Sequence, residues 1–126
     1  MMTEKEIDDF MYAVSRGFHR KVSAFVENGV DVNMQHKHYG PALGMAVRHR
    51  QVKTALVLLE LGADPTLRSE PGDWSAFDDV HFNMTYRYAH KRLSTQRAWK
   101  EVMEVLRDKW PDAYLEWWIG QAQEER

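Results

Sequence analysis

Ile7, Phe10, Met11 and Val14 lie three, four and seven positions apart, the spacing of one apolar face of a helix. Gly17 follows them. A glycine there can take the left-handed conformation past a helix end, so a first helix is predicted to stop at that point. Val22, Phe25 and Val26 form a second stripe that Gly29 ends in the same way, and residues 5–29 read as an antiparallel helix pair. Val30 to Gly40 is polar and rich in turn-formers, which predicts a finger projecting between helix pairs. The helical pattern then restarts. Pro41 suits a first helical position, where its missing amide hydrogen would be unpaired anyway. Leu43, Ala46 and Val47 make a short stripe. After a connection around Arg48 to Gln51, Val52 to Leu61 reads as a helix with Ala55, Leu58 and Leu59 on one face and Gly62 beyond it. Pro65 and the cluster Ser69-Glu70-Pro71-Gly72 mark a second projecting loop. Ser75-Ala76-Phe77 opens a third unit.

These units repeat. Glu27-Asn28-Gly29-Val30-Asp31 and Glu60-Leu61-Gly62-Ala63-Asp64 are 33 positions apart, and the same shift superposes Ala13 on Ala46 and Val14 on Val47. It also pairs Val22, Ala24, Phe25 and Val26 with Ala55, Val57, Leu58 and Leu59. A period in the low thirties, closed each time by a glycine-acid turn, is what stacked helix-turn-helix units need.

The residues resemble the ankyrin repeat, whose pattern opens with Gly-x-Thr-Pro-Leu-His-x-Ala, continues through Gly-His and Val-Val-x-Leu-Leu-Leu, and closes on Gly-Ala-Asp-x-Asn. Leu43 and Ala46 match the opening, and Leu58-Leu59-Glu60-Leu61-Gly62-Ala63-Asp64 matches the close. In the first unit Ala13, Gly17, Val22, Glu27, Gly29, Asp31 and Asn33 fall on pattern positions, so the resemblance covers residues 10–66. It implies an all-α, ankyrin-repeat helical solenoid of about three helix-turn-helix units. The third departs from the pattern: Val105-Leu106, its counterpart of Leu58-Leu59, lies 47 residues beyond rather than 33, so an insertion of about 14 residues separates its two helices. The expected organisation is one domain over 1–126. Repeat one covers about 5–38, repeat two about 39–71, repeat three with its insertion about 72–110, and a C-terminal capping helix 111–126.

That cap begins at Trp110-Pro111 and carries Tyr114, Leu115, Trp117, Trp118 and Ile119. A terminal unit has to cover the last apolar face of a stack, which is the expected role of these aromatics. The competing expectation is an exposed Trp117 that anchors a partner or mediates self-association.

Composition narrows the class. At 126 residues, 44% apolar and 29% charged, the chain is an ordinary globular domain. It has no cysteine, which excludes disulfides, thiolate zinc sites and cysteine nucleophiles, and suits a reducing, cytoplasmic location. No membrane association is expected, because the longest apolar run is the five residues Ala55 to Leu59 and the first nine residues lack a signal peptide's character. The net charge of −2 is unevenly placed: Val80 to Lys100 holds Arg87, Lys91, Arg92, Arg97 and Lys100 with no carboxylate. Phe82, Tyr86, Tyr88 and Trp99 are interleaved with those cations. Three readings of that block stand: a protein contact, aromatics buried with their neighbouring charges in solvent, and a nucleic-acid surface.

No catalytic constellation emerges, and no enzyme is expected. Serine elbows, phosphate-cradling glycine loops and the paired-histidine zinc motif are absent. His36 and His38 could lie on one side of an extended segment, but no local carboxylate or cysteine completes a metal set, so solvated loop histidines are expected. Asp78, Asp79 and His81 crowd a helix start, where acids settle near the positive end of the helix dipole. No cofactor is expected.

The resemblance therefore implies a non-catalytic protein-binding module, acting as a stoichiometric inhibitor or adaptor of a partner with an acidic surface. Small imperfect proteins of this kind suit bacteria, phages and other viruses, directed at a host factor. The candidate partner-binding residues are His36, His38 and Tyr39 of the first finger, Arg48 and Arg50 of the inner connection, Arg68 of the second finger, and Tyr88, Lys91 and Arg92 of the insertion. The alternative is a nucleic-acid-associated protein using the basic aromatic segment 80–100.

Overall fold

The two helices that open the chain are bounded by local chemistry. In this computed structural model, which describes residues 2–69, 73–87 and 93–124, α1 spans Glu4–Arg16, and the Thr3 side chain accepts from the Glu6 amide at its start. Gly17, at φ 76°, ends it as the spacing predicts. After a two-residue turn, α2 (His19–Glu27) folds back on α1. Phe10, Met11, Ala13 and Val14 of α1 are buried, whereas Val22 alone is fully buried in α2. Phe25 and Val26 are only partly covered, because the first pair has a neighbour on one side.

The finger closes in a two-residue pair, β1 (Gln35–His36) with β2 (Gly40–Pro41), antiparallel, with His36 opposite Gly40 and Gln35 opposite Pro41. Pro41 is thus not the first helical residue. Its ψ of 146° is extended, set by its pairing with Gln35, and α3 (Ala42–Arg48) starts one residue later. The helix α4 (Val52–Glu60) follows, then α5 (Ala76–Phe82), which Ser75 and Asp78 open with a reciprocal capping box.

The helices pack in pairs. Each of α2, α4 and α6 (Leu93–Lys109) packs on the helix preceding it among α1, α3 and α5; α3 also contacts α1 and α5, and α4 contacts α2 and α6. Two helical layers result. Their shared core includes Phe10, Val14, Val22, Val47, Leu58, Phe77, Val80, Trp99, Val102 and Leu106. Of the expected insertion in the third unit, residues 88–92 lie outside the described residues. α5 runs on through a π-helical turn, Asn83–Arg87, and α6 spans 17 residues. Trp99, inside this detour, is 1% exposed, and Asn83 is buried with its Nδ2 donating to the Val47 carbonyl at 3.0 Å. The detour therefore feeds the core.

Pro111 is the first residue of α7 (Pro111–Glu124), which packs on α6. Trp117 points inward and Trp118 outward. The fold is thus mostly helical, and among the described residues no helix is long and apolar enough to cross a membrane.

Candidate partner-binding site

The first finger is held rigid by side chains that satisfy its backbone. Asp31 Oδ1 accepts the Asn33 amide at 2.9 Å, an Asx turn, and the repeated residue Asp64 accepts the Thr66 amide in the same way. Asn33 then reaches the next unit, donating to the Gly62 carbonyl and accepting from the Asp64 amide. Successive turns are clamped together.

His36 is the centre of the finger. Its Nδ1 accepts the His38 amide at 3.0 Å, which leaves Nε2 to carry the proton and donate to Asp8 Oδ1, also at 3.0 Å. Its ring stacks on Tyr39 at 4.7 Å. The side chain is 7% exposed, so it is not the solvated loop histidine that the finger's polarity suggests. The carboxylate it lacks locally arrives from α1, 28 residues earlier. His38 and Tyr39 remain exposed beside it.

Arg48 supports the same finger from α3. Its Nη2 donates to the Tyr39 carbonyl at 2.7 Å, and Nη1 lies 3.4 Å from Asp79 Oδ2 on α5. One guanidinium thus joins finger, α3 and α5, and the buried Asp79 is given a charged partner. Arg50 is exposed and occupies the left-handed region at φ 65°, where the preceding unit has Gly17.

Between the finger and the facing sides of α1 and α3 lies a cleft of about 540 Å³. His36, Lys37, His38 and Tyr39 form one wall; Asp8, Met11, Tyr12 and Ser15 of α1, with Met45 of α3 and His49 just beyond it, form the rest. The structure therefore brings together three of the sequence candidates, His36, His38 and Tyr39, with Arg48 beneath them and Arg50 one residue past the lining His49. Arg68 lies apart. It belongs to the second finger, where it donates to the Asp73 carbonyl and approaches Asp78 at 4.0 Å. Tyr88, Lys91 and Arg92 lie outside the described residues.

Tyr12, Asp8 and Met45 line the cleft without having stood out in the sequence. Tyr12 carried a usable signal: a large exposed aromatic one step off the apolar stripe of its helix. Asp8 carried none, because only folding brings it to His36.

The acids at the start of α5 have structural partners. Asp78 closes the capping box and accepts from Trp117 Nε1, Asp79 pairs with Arg48, and His81 meets the Trp117 ring edge-on. Among the described residues no three His, Asp or Glu side chains converge as a metal-ligand set.

No family model matches the chain. Protein glp-1 of Caenorhabditis elegans, which contains ankyrin repeats, is 34% identical over 80 residues. That match covers 64% of this chain and 6% of the length of glp-1.

Proposed function

We propose that this chain is a non-catalytic protein-binding module of ankyrin type, a stoichiometric inhibitor or adaptor that works in the cytoplasm and takes an exposed segment of a partner protein into the cleft beside the first finger. The observation that carries the reading is the way the finger is built. His36 is fixed by Asp8, the His38 amide and Tyr39, while His38, Tyr39, Lys37 and Tyr12 present exposed faces to the cleft. A surface already ordered loses little entropy on association. Aromatic rings with an adjacent cation are also the groups that dominate protein interfaces. The helix pairs packed in two layers and the partial likeness to glp-1 support the ankyrin assignment.

The cationic groups near the cleft, Lys37 and Arg50, favour an acidic segment as the occupant. The nucleic-acid alternative loses support from two of its four aromatics: Trp99 is buried and Phe82 packs edge-on against Trp74. Trp99 offers no face on which a base could stack, and the half-buried Phe82 ring is already engaged by Trp74.

Affinity capture from the native host, comparing wild type with Tyr39→Ala and with Lys37→Glu, tests the reading. A protein retained by wild type, lost with both variants and bound in one-to-one stoichiometry is expected. Retention unchanged in both variants sinks the cleft as the binding site.

A further inference from the structure

One side of α7 is committed to the fold. Ala113, Tyr114 and Trp117 pack against the core. The Trp117 ring stacks on Phe77 at 5.9 Å, and its indole N–H donates to Asp78 at 2.9 Å. The opposite side is apolar and open. Leu115, Trp118 and Ile119 are 55%, 53% and 49% exposed, and their spacing of three and four places them in one stripe, which exposed Ala122 extends. Each of α1, α3 and α5 has a following helix packed on it. Among the described residues α7 has none.

We propose that this stripe docks an amphipathic helix with a basic flank, supplied by a partner protein, at a surface separate from the cleft. Three observations converge. Leu115, Trp118, Ile119 and Ala122 have the i, i+3, i+4, i+7 pattern by which one helix engages another, with a tryptophan as anchor. The edge beside the stripe carries the exposed carboxylates Asp112 and Glu116, and neither has an ion-pair partner among the described residues. Finally, α7 contains no Lys, Arg or His, so nothing on the helix itself offsets that edge.

Charge also argues against a second copy as the occupant. An antiparallel twofold pairing of two α7 helices sets their acidic edges on the same side, with the two Glu116 carboxylates near the axis. A parallel pairing leaves both edges against neutral side chains. A lysine- or arginine-flanked helix satisfies the edge and the stripe together, as the residues beside a coiled-coil seam select partners. Two separate surfaces, cleft and stripe, suit a bridging adaptor.

The test uses the full chain and a fluorescein-labelled synthetic amphipathic peptide with a leucine stripe flanked by lysines, set against a twin flanked by glutamates. Fluorescence anisotropy is expected to show saturable binding of the lysine peptide at least about tenfold tighter than its twin. Trp118→Ser and Leu115→Ser are each expected to weaken binding about tenfold while keeping the wild-type melting curve, because both side chains are exposed. Glu116→Lys should narrow the gap between the two peptides, and Tyr39→Ala in the cleft should leave both affinities unchanged. Equal binding of the twins, or binding indifferent to both stripe variants, overturns the proposal. So does a concentration-dependent dimer in sedimentation that Trp118→Ser converts to monomer, since that assigns the stripe to a second copy.

Discussion

Asn33 holds Asp64 from one repeat away: its side-chain oxygen accepts the Asp64 amide at 2.7 Å, while its Nδ2 donates to the Gly62 carbonyl at 3.3 Å. The carboxamide uses both ends to fix the spacing of two adjacent turns. Asn33→Ala leaves the partly buried Asp64 amide without its acceptor, while water can replace the donor at the exposed Gly62 carbonyl, and is expected to destabilise the chain by about 1 kcal/mol. Urea denaturation measures it, and an unchanged midpoint would show that the clamp contributes nothing.

Gly17 leaves no room for a side chain as the structure stands. Its φ is 76°, and a Cβ there would run into the Gln51 carboxamide, whose Nε2 donates to the Ser15 carbonyl at 3.0 Å. Gly17→Ala should therefore cost at least about 1–2 kcal/mol, from the left-handed backbone together with the displaced hydrogen bond. Gly29, also left-handed but with open space around it, isolates the backbone contribution. Its alanine variant is expected to lose less in the same denaturation experiment.

Arg50 is the counterpart of Gly17 in the second unit, and it adopts the same left-handed conformation with a side chain attached. Arg50→Gly relieves that strain. The gain is partly offset by the freedom glycine recovers on unfolding, leaving an expected stabilisation of about 0.5–1 kcal/mol. A higher thermal midpoint together with weaker partner binding would identify Arg50 as a residue retained for contact at the expense of stability. A lower midpoint would show instead that its side chain supports the fold.

His36 is expected to control the order of the finger rather than of the whole chain. Removing its ring in His36→Ala takes away the Asp8 and His38 hydrogen bonds and the Tyr39 stack together. Tryptic cleavage after the exposed Lys37 should then accelerate about tenfold under native conditions, reporting local opening. Asp8→Ala should produce a smaller acceleration. Equal cleavage of wild type and His36→Ala would mean that the finger is held by its backbone alone.

Trp117 and Trp118 are adjacent but belong to different surfaces. Trp117→Ala removes a ring packed on Phe77 and a hydrogen bond to Asp78, an expected loss of about 2–4 kcal/mol, reduced from the fully buried case by its partial exposure. Trp118→Ala should change stability by less than about 0.5 kcal/mol. Thermal melts of the two variants separate the roles, and similar losses would contradict the orientation of α7.

The helix boundaries were legible because their causes are local. Gly17, Gly29 and Gly62 all have positive φ where the spacing requires a stop, and Ser75 with Asp78 caps α5 within four residues of chain. Pro41 was misplaced by one residue, since its conformation answers to Gln35 across the hairpin rather than to the helix after it. The direction of Trp117 was not legible either. Trp117, Trp118 and Ile119 together cover too much of a helix's circumference for periodicity to select an inner face. In the candidate site, His38 and Tyr39 could be read from a polar finger, but Asp8 and Tyr12 could not be joined to it.

The sequence by itself determined where helices stop and how far apart the two Gly-x-Asp turns recur. These depend on backbone preferences and on apolar spacing over a few residues. The tertiary structure alone decided what the turns are for. It carried Asp8 across 28 residues to His36 and placed the Arg48 guanidinium between Tyr39 and Asp79. It also buried Trp99 on α6 and left Leu115, Trp118 and Ile119 on α7 facing solvent. Such pairings depend on which faces meet when helices stack, a relation between distant segments that no local pattern encodes.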